Sequence, residues 1–248
     1  MSARGGRTAE RGASREERGA SGVPTAVVTG ASRGIGRAIA LRLAPRYHVV
    51  AVARTVDALD ALAAEITARG GACTPCPLDI TDAAAVERAL QRVSADVLVN
   101  NAGVMVRAPL LDLTPDAWRR MMAVNLDAVY TVTRVLLPGM VERRRGHIVN
   151  IGSLAGRNPF VGGTGYTATK YALVGFTESL MLEVRAAGVR VSLVMPGSVD
   201  TDLMQRSGDR SWMLTADDVA AAVAHVLEAP ANALVSRVEL RPAVPPSS

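Results

Sequence analysis

Short runs of β-branched and aliphatic residues alternate with longer amphipathic or alanine-rich stretches along most of this chain, and few folds accommodate that rhythm. Thr25–Thr29, Val49–Ala53, Val97–Val99, His147–Ile151, Val189–Val194 and Val235–Leu240 read as strands, with Cys73–Leu78 a weaker seventh. Between them Arg37–Leu43, Val56–Arg69, Ala83–Val93, Pro115–Val141, Thr167–Ala187 and Ala216–Glu228 carry helical patterns. Strand and helix in strict turn imply βαβ units and a parallel sheet. The strands are apolar on both faces, which a sheet needs when helices cover both sides. The expected fold is therefore α/β: a single doubly wound domain over about 23–241, with a parallel seven-stranded sheet and helices on both faces. Residues 1–22, made mostly of Gly, Ala, Ser, Arg and Glu, are expected to form a disordered N-terminal tail, and the proline-rich 242–248 a C-terminal one.

Composition removes several classes. Hydrophobic residues make up 49% of the chain and charged residues 21%, which is globular rather than disordered. No apolar run is long enough for a membrane span and no apolar leader follows Met1, so no membrane partner is expected and the location is read as cytoplasmic. The formal charge is +5, but the arginines are scattered and the longest basic run is Arg143–Arg145, so no nucleic-acid partner is expected. Two cysteines cannot build a disulfide framework. Cys73 and Cys76 also lack a second ligand pair, and His48, His147 and His225 are isolated, so no metal is expected. Trp118, Met121 and Met122 read as helix-packing residues. Among 28 Lys and Arg residues there is one lysine, Lys170; a chain that otherwise uses arginine for every cation keeps a compact ammonium at that single position.

The motifs lie where the strands end. Thr29-Gly30-Ala31-Ser32-Arg33-Gly34-Ile35-Gly36 follows the first strand and opens a helix. Glycines there permit a tight turn and close approach of a pyrophosphate to the helix N-terminus. The second strand ends in Arg54 where an NAD site would carry a carboxylate, and Arg54 with Arg33 could hold a 2′-phosphate, which favours NADP(H). Ser153 follows the fifth strand, and Tyr166 and Lys170, four residues apart on a predicted helix, share one face.

Together the glycine turn, Asn100-Asn101-Ala102-Gly103, Ser153 and the Tyr166-x-x-x-Lys170 pair resemble the short-chain dehydrogenase/reductase family over about 23–241. The resemblance implies a Rossmann fold and a catalytic set of Ser153, Tyr166, Lys170 and Asn125. In it Tyr166 is the acid/base, Ser153 bonds the carbonyl, Lys170 binds the nicotinamide ribose and Asn125 holds a water-linked proton relay. It also implies cofactor contacts from Gly30, Ser32, Arg33, Gly34, Ile35, Gly36, Arg54, Asp79, Ile80, Asn101, Ala102, Gly103, Tyr166, Lys170, Pro196, Gly197, Val199 and Thr201. The expected activity is NADP(H)-dependent interconversion of a ketone or aldehyde and an alcohol, with a small-molecule carbonyl or alcohol substrate, 3-oxoacyl thioesters included. A catalytically silent NADP(H) sensor is the alternative. Ser198–Leu214 is expected to form a lid over the pocket. A homotetramer or homodimer is expected through Pro115–Val141 and Thr167–Ala187. Free tyrosine titrates near 10, so a neighbouring ammonium and a positive nicotinamide are expected to favour its phenolate.

Overall fold

The computed structural model describes residues 22–203 and 208–244. The expected N-terminal tail lies outside the described residues apart from Gly22, as do residues 245–248 and four positions of the expected lid. Seven strands are present: β1 Thr25–Thr29, β2 His48–Ala53, β3 Ala72–Pro77, β4 Val97–Asn100, β5 Gly146–Ile151, β6 Val189–Pro196 and β7 Arg237–Leu240. They form one sheet in the order β3-β2-β1-β4-β5-β6-β7, and every pairing is parallel. The chain leaves β1 toward β2 and β3, then returns to place β4 on β1's other side. Such a reversal opens a crevice beyond the carboxyl ends of β1 and β4.

The helices are α1 Gly34–Leu43, α2 Val56–Ala68, α3 Ala83–Leu90, α4 Pro115–Met122, α5 Ala128–Glu142, α6 Thr164–Val184 and α7 Ala216–Leu227. Alternation along each strand sends side chains to two cores. Ala26, Val28, Val49, Ala51, Val97 and Val99 pack with α1, α2 and α7 through residues such as Ile39, Leu62 and Val223. Val27, Val50, Val52 and Leu98 pack on the opposite face with α3, α5 and α6 through Leu90, Leu136 and Leu180. Full burial of each large aliphatic side chain contributes about 1.5–3 kcal/mol. Cys73 joins the first core and Cys76 the second, so the pair straddles the β3 strand. Among the described residues no helix is long and apolar enough to cross a membrane, and no group of three His, Cys, Asp or Glu could hold a metal ion.

Two boundaries differ from the sequence expectation for the same reason. Helices α1 and α6 each begin three residues early, at Gly34 and Thr164, because their first turns contain glycines that read as breakers. At Gly165 a Cβ would sit 2.4 Å from Cε of Met121, so the glycine is what lets α6 approach α4. A third difference concerns the predicted helix Pro115–Val141. It is interrupted by a π-helical turn, Ala123–Asp127, that contains Asn125; the hydrophobic period runs through the turn and hides it.

Candidate active site

The site is assembled from the loops beyond the carboxyl ends of β1, β4 and β5 and the first turns of α6. Gly30 and Gly34 adopt left-handed backbone, φ 67° and 53°, and a Cβ on Gly36 would lie 2.2 Å from the Gly30 carbonyl oxygen. The turn is thus closed to any larger residue. Helix α1 then starts without a side-chain cap: Arg33 occupies the N-cap and makes no capping bond, and no acid stands in the first turn. By contrast α3, α4 and α7 are capped by Asp82, Thr114 and Thr215. Uncapped N–H groups behind a glycine turn are what a phosphate anion requires.

Thr29 and Asn101 bind this turn to the β4 loop. The Thr29 hydroxyl accepts from the N–H groups of Asn101 at 3.0 Å and Ala102 at 3.1 Å. The Asn101 amide donates back to the carbonyls of Thr29 at 2.9 Å and Gly30 at 3.3 Å. Asn101 therefore spends its side chain on the protein. Thr201 lies over the same turn, since a Cβ on Gly34 would meet its Cγ2 at 3.4 Å. Val199 is buried and bridges to Leu214, while the Gly197 N–H donates to Leu240 at 2.9 Å.

Arg54 and Asp79 face each other at 4.0 Å, and Arg33 pairs with Asp202 at 3.1 Å. Both pairs are solvent-exposed and contribute about 0–1 kcal/mol each. Asp79 accepts from the N–H and hydroxyl of Thr81 at 3.0 and 2.7 Å. Those bonds, with Arg54 adding a smaller effect, hold its carboxyl below the usual range. Ile80 packs against the second core beside it.

Ser153 caps the short 3₁₀ turn Leu154–Gly156, its hydroxyl accepting from the Ala155 N–H at 3.1 Å, and it lies close enough to the Tyr166 phenol to oppose the effect of burial there. Tyr166 is buried among Met121 and Ala155, with Val104, Met105, Val106 and Leu113 against them. Burial raises its phenol above 10, and Ser153 opposes that rise. The protein by itself therefore keeps Tyr166 protonated. Lys170 stands one turn along α6, with Nζ 5.7 Å from the tyrosine ring centroid and donating to the Ile151 carbonyl at 3.0 Å. Burial pushes its ammonium down to about 8.

Asn125 is 1% exposed. Its amide donates to the Val104 carbonyl at 2.9 Å and the Thr169 hydroxyl at 3.1 Å, and its oxygen accepts from the Val104 N–H at 2.8 Å. Thr169 in turn donates to the Tyr166 carbonyl at 2.7 Å. Beneath lies a second buried set, in which Asn100 donates to Thr133 and Asn150, and Asn150 to Thr177. It ties β4 and β5 to α5 and α6. The sequence reading gives no role to Thr29, although it opens the glycine motif, nor to Thr169, Asn150 and Thr177. Their signal is weak: Thr29 and Asn150 lie at or next to a strand end, Thr169 beside Lys170, and Thr177 is one more small polar residue in the middle of α6.

Of the histidines, His48 bonds the Thr74 hydroxyl at 2.8 Å and His147 is deeply buried on β5. The Ser192 hydroxyl donates to the Val235 carbonyl at 2.7 Å and lies 2.8 Å from His147 Nε2, so Nε2 carries the ring proton. His147 Nδ1 is left without a partner. His147 is therefore a structural residue with one of its two ring nitrogens satisfied.

Residues 24–212 match the sequence profile described as short chain dehydrogenase. The chain is 36% identical to a 3-oxoacyl-(acyl-carrier-protein) reductase, FabG, of Vibrio harveyi over 201 residues, 79% of this chain and 82% of the relative. It is 35% identical over 235 residues to an NADP-dependent 3-hydroxy acid dehydrogenase, YdfG, of Salmonella typhi, covering 87% of this chain and 94% of that one. Among solved structures, a metagenomic short-chain oxidoreductase in complex with NADP superposes with a TM-score of 0.80 at 41% identity, over 89% of this chain and 98% of that one.

Proposed function

The chain belongs to the short-chain dehydrogenase family, and from that premise we propose that it is an NADP(H)-dependent oxidoreductase interconverting a ketone or aldehyde and its alcohol. One observation carries the reading: a buried tyrosine, its phenol beside Ser153 and its ring centroid 5.7 Å from the ammonium of the protein's sole lysine one helical turn away.

The residues fit the cofactor. The uncapped start of α1, with Gly30, Ser32, Gly34, Ile35 and Gly36, would take the pyrophosphate side. Arg33 and Arg54 would exchange their exposed carboxylate partners for a 2′-phosphate, a better bidentate acceptor; the NADP bound by the metagenomic relative supports that choice. Asp79 and Ile80 would lie at the adenine, and Ala102 and Gly103 along the sugar. Asn101 would act from its backbone, its amide being engaged by β1. Pro196, Gly197, Val199 and Thr201 would wall the nicotinamide, and Lys170 and Tyr166 would hold its ribose. When bound, the reduced cofactor supplies the hydride.

Everything else falls to the protein's own groups. Tyr166 donates its proton to the carbonyl oxygen, and Ser153 supplies a second hydrogen bond as charge develops there. Lys170 donates to Ile151 and retains further N–H groups, so it can bond a ribose hydroxyl and stabilise the phenolate left by proton transfer. Because the Asn125 amide is committed to Val104 and Thr169, its water-relay role rests with its main-chain carbonyl in the π turn. In the oxidative direction the same groups run in reverse.

The walls around Tyr166 suit a small or chain-like carbonyl compound, and the FabG relative supports 3-oxoacyl thioesters as one class. Leu214 and the described part of 198–214 cover the same edge of the sheet. Tyr130, Leu137, Val141, Phe176 and Leu180 line a groove of about 470 Å³ between α5 and α6, which supports self-association through these helices as a homodimer or homotetramer. The test is NADPH oxidation against thioesters, ketones, aldehydes and quinones, run beside Tyr166→Phe. Loss of about 10²–10⁴-fold in kcat with NADPH binding intact is expected; a fully active variant would overturn the mechanism.

A further inference from the structure

Arginines crowd the loops that leave the carboxyl ends of the strands. Arg33, Arg54, Arg157, Arg210 and Arg241 are each ion-paired with a carboxylate. Arg107, in the loop after β4, has no carboxylate partner among the described residues, yet its side chain is held in place. Nε donates to the Val161 carbonyl at 3.3 Å, and the guanidinium carbon lies 5.8 Å from the centroid of the Phe160 ring. The two loops are themselves joined, since the Ala108 N–H donates to the Gly162 carbonyl at 2.9 Å. Gly162, at φ 77°, leaves the space in which a Cβ would press on Arg107 Cγ at 3.2 Å.

This arrangement flanks the residues packed around Tyr166. Phe160 abuts Gly163, the N-cap of α6, and Tyr166 follows in the first turn. On the other side Arg107 directly follows Val106, which packs on the apolar cluster around Tyr166. With Nε and one face engaged, the two terminal nitrogens of the guanidinium remain as a planar fork, the shape that takes a carboxylate bidentately.

Resting on the carbonyl-alcohol reading above, we propose that Arg107 binds an anionic group of the substrate, and that the substrate is a hydroxy or oxo acid whose carboxylate lies one short apolar spacer from the reacting carbon. On oxidation the carbinol hydride would pass to NADP⁺ and the hydroxyl proton to the Tyr166 phenolate, which the bound cofactor's positive charge and Lys170 favour, while the carboxylate stays on Arg107 unchanged.

The experiment compares a short-chain 3-hydroxy acid with its methyl ester, using NADP⁺ and the full-length protein, wild type against Arg107→Met and Arg107→Lys. The wild type should favour the acid over the ester in kcat/KM by about tenfold or more, ~1.4 kcal/mol. The ratio should fall toward one in Arg107→Met, recover in part in Arg107→Lys and shrink as salt is raised. In parallel, the acid should raise the melting temperature of the NADP⁺-loaded wild type more than that of Arg107→Met. Equal turnover of acid and ester by the wild type, or a preference that survives Arg107→Met, would overturn the assignment and leave the oxidoreductase reading standing. A preference for a pantetheine-phosphate thioester over the acid, lost in Arg107→Met, would move the anion from substrate to carrier and overturn the carboxylate. Turnover of none of them with NADP⁺ still bound would remove the carboxylate assignment; failure to bind NADP⁺ would remove the reading beneath it.

Discussion

Lys170→Met should yield a protein that is inactive and more stable. Burial holds the Lys170 ammonium at about 8, against 10.5 for a free lysine, so at pH 7 the folded state carries a charge whose burial costs ~3 kcal/mol. Methionine removes that charge at similar length. It also removes the bond to the Ile151 carbonyl, about 1 kcal/mol, leaving a net gain of ~2 kcal/mol. The sign with pH is fixed by the two titrations. Between about 8 and 10.5 the unfolded lysine keeps its proton while the folded one releases it, so wild-type stability rises with pH across that window. The variant lacks this term, and its advantage should shrink by ~2 kcal/mol between about pH 7 and pH 9.5. Urea unfolding followed by tryptophan fluorescence at both pH values, at one protein concentration, measures the gap directly. A variant less stable than wild type at pH 7, or a gap that does not move with pH, would refute the reasoning.

Two other substitutions probe separate parts of the molecule. Arg54→Asp should weaken NADPH binding by about tenfold or more, the worth of one charge-assisted contact, and NADH binding far less; fluorescence titration with both cofactors reads this, and equal losses would exclude Arg54 from the phosphate site. His147, desolvated and held near 3, stays neutral in the fold while the unfolded ring takes up a proton below 6.5. Wild type should therefore lose ~2 kcal/mol of stability from this residue between about pH 8 and pH 5; His147→Gln should flatten that part of the unfolding profile, and an unchanged slope would show that another group is responsible.

The sheet was legible because its signal is local. Most strands are short β-branched or aliphatic runs, β3 being the exception, and β1 begins and ends where the pattern places it. The edge that the candidate site residues share was legible for a related reason, since Gly30, Arg54, Asp79, Asn101 and Ser153 come within two residues of a strand's end and Pro196 closes β6, so their common edge follows from topology alone. Pairwise geometry was not legible. Nothing in the sequence indicates that the Asn125 amide is claimed by the Val104 peptide, or that Asn101 turns back to β1 rather than outward. The π turn stayed hidden because it adds one residue to a helix without disturbing its apolar face. The weight of desolvation was not legible either: with an ammonium 5.7 Å from the ring centroid, burial still raises the Tyr166 phenol, and the expected phenolate calls for the positive nicotinamide as well.

The burial of Lys170 also has a practical side. The surface offers amine-directed reagents no lysine, so acylating dyes, crosslinkers and resins that modify most proteins at many points would find one side-chain target, inside the candidate active site. Acylation there requires the crevice to open and the ammonium to lose its proton. Its rate thus becomes a clock for opening, and a ligand that seats over Lys170 can be detected by how far it stops that clock, without any turnover and without knowledge of the substrate.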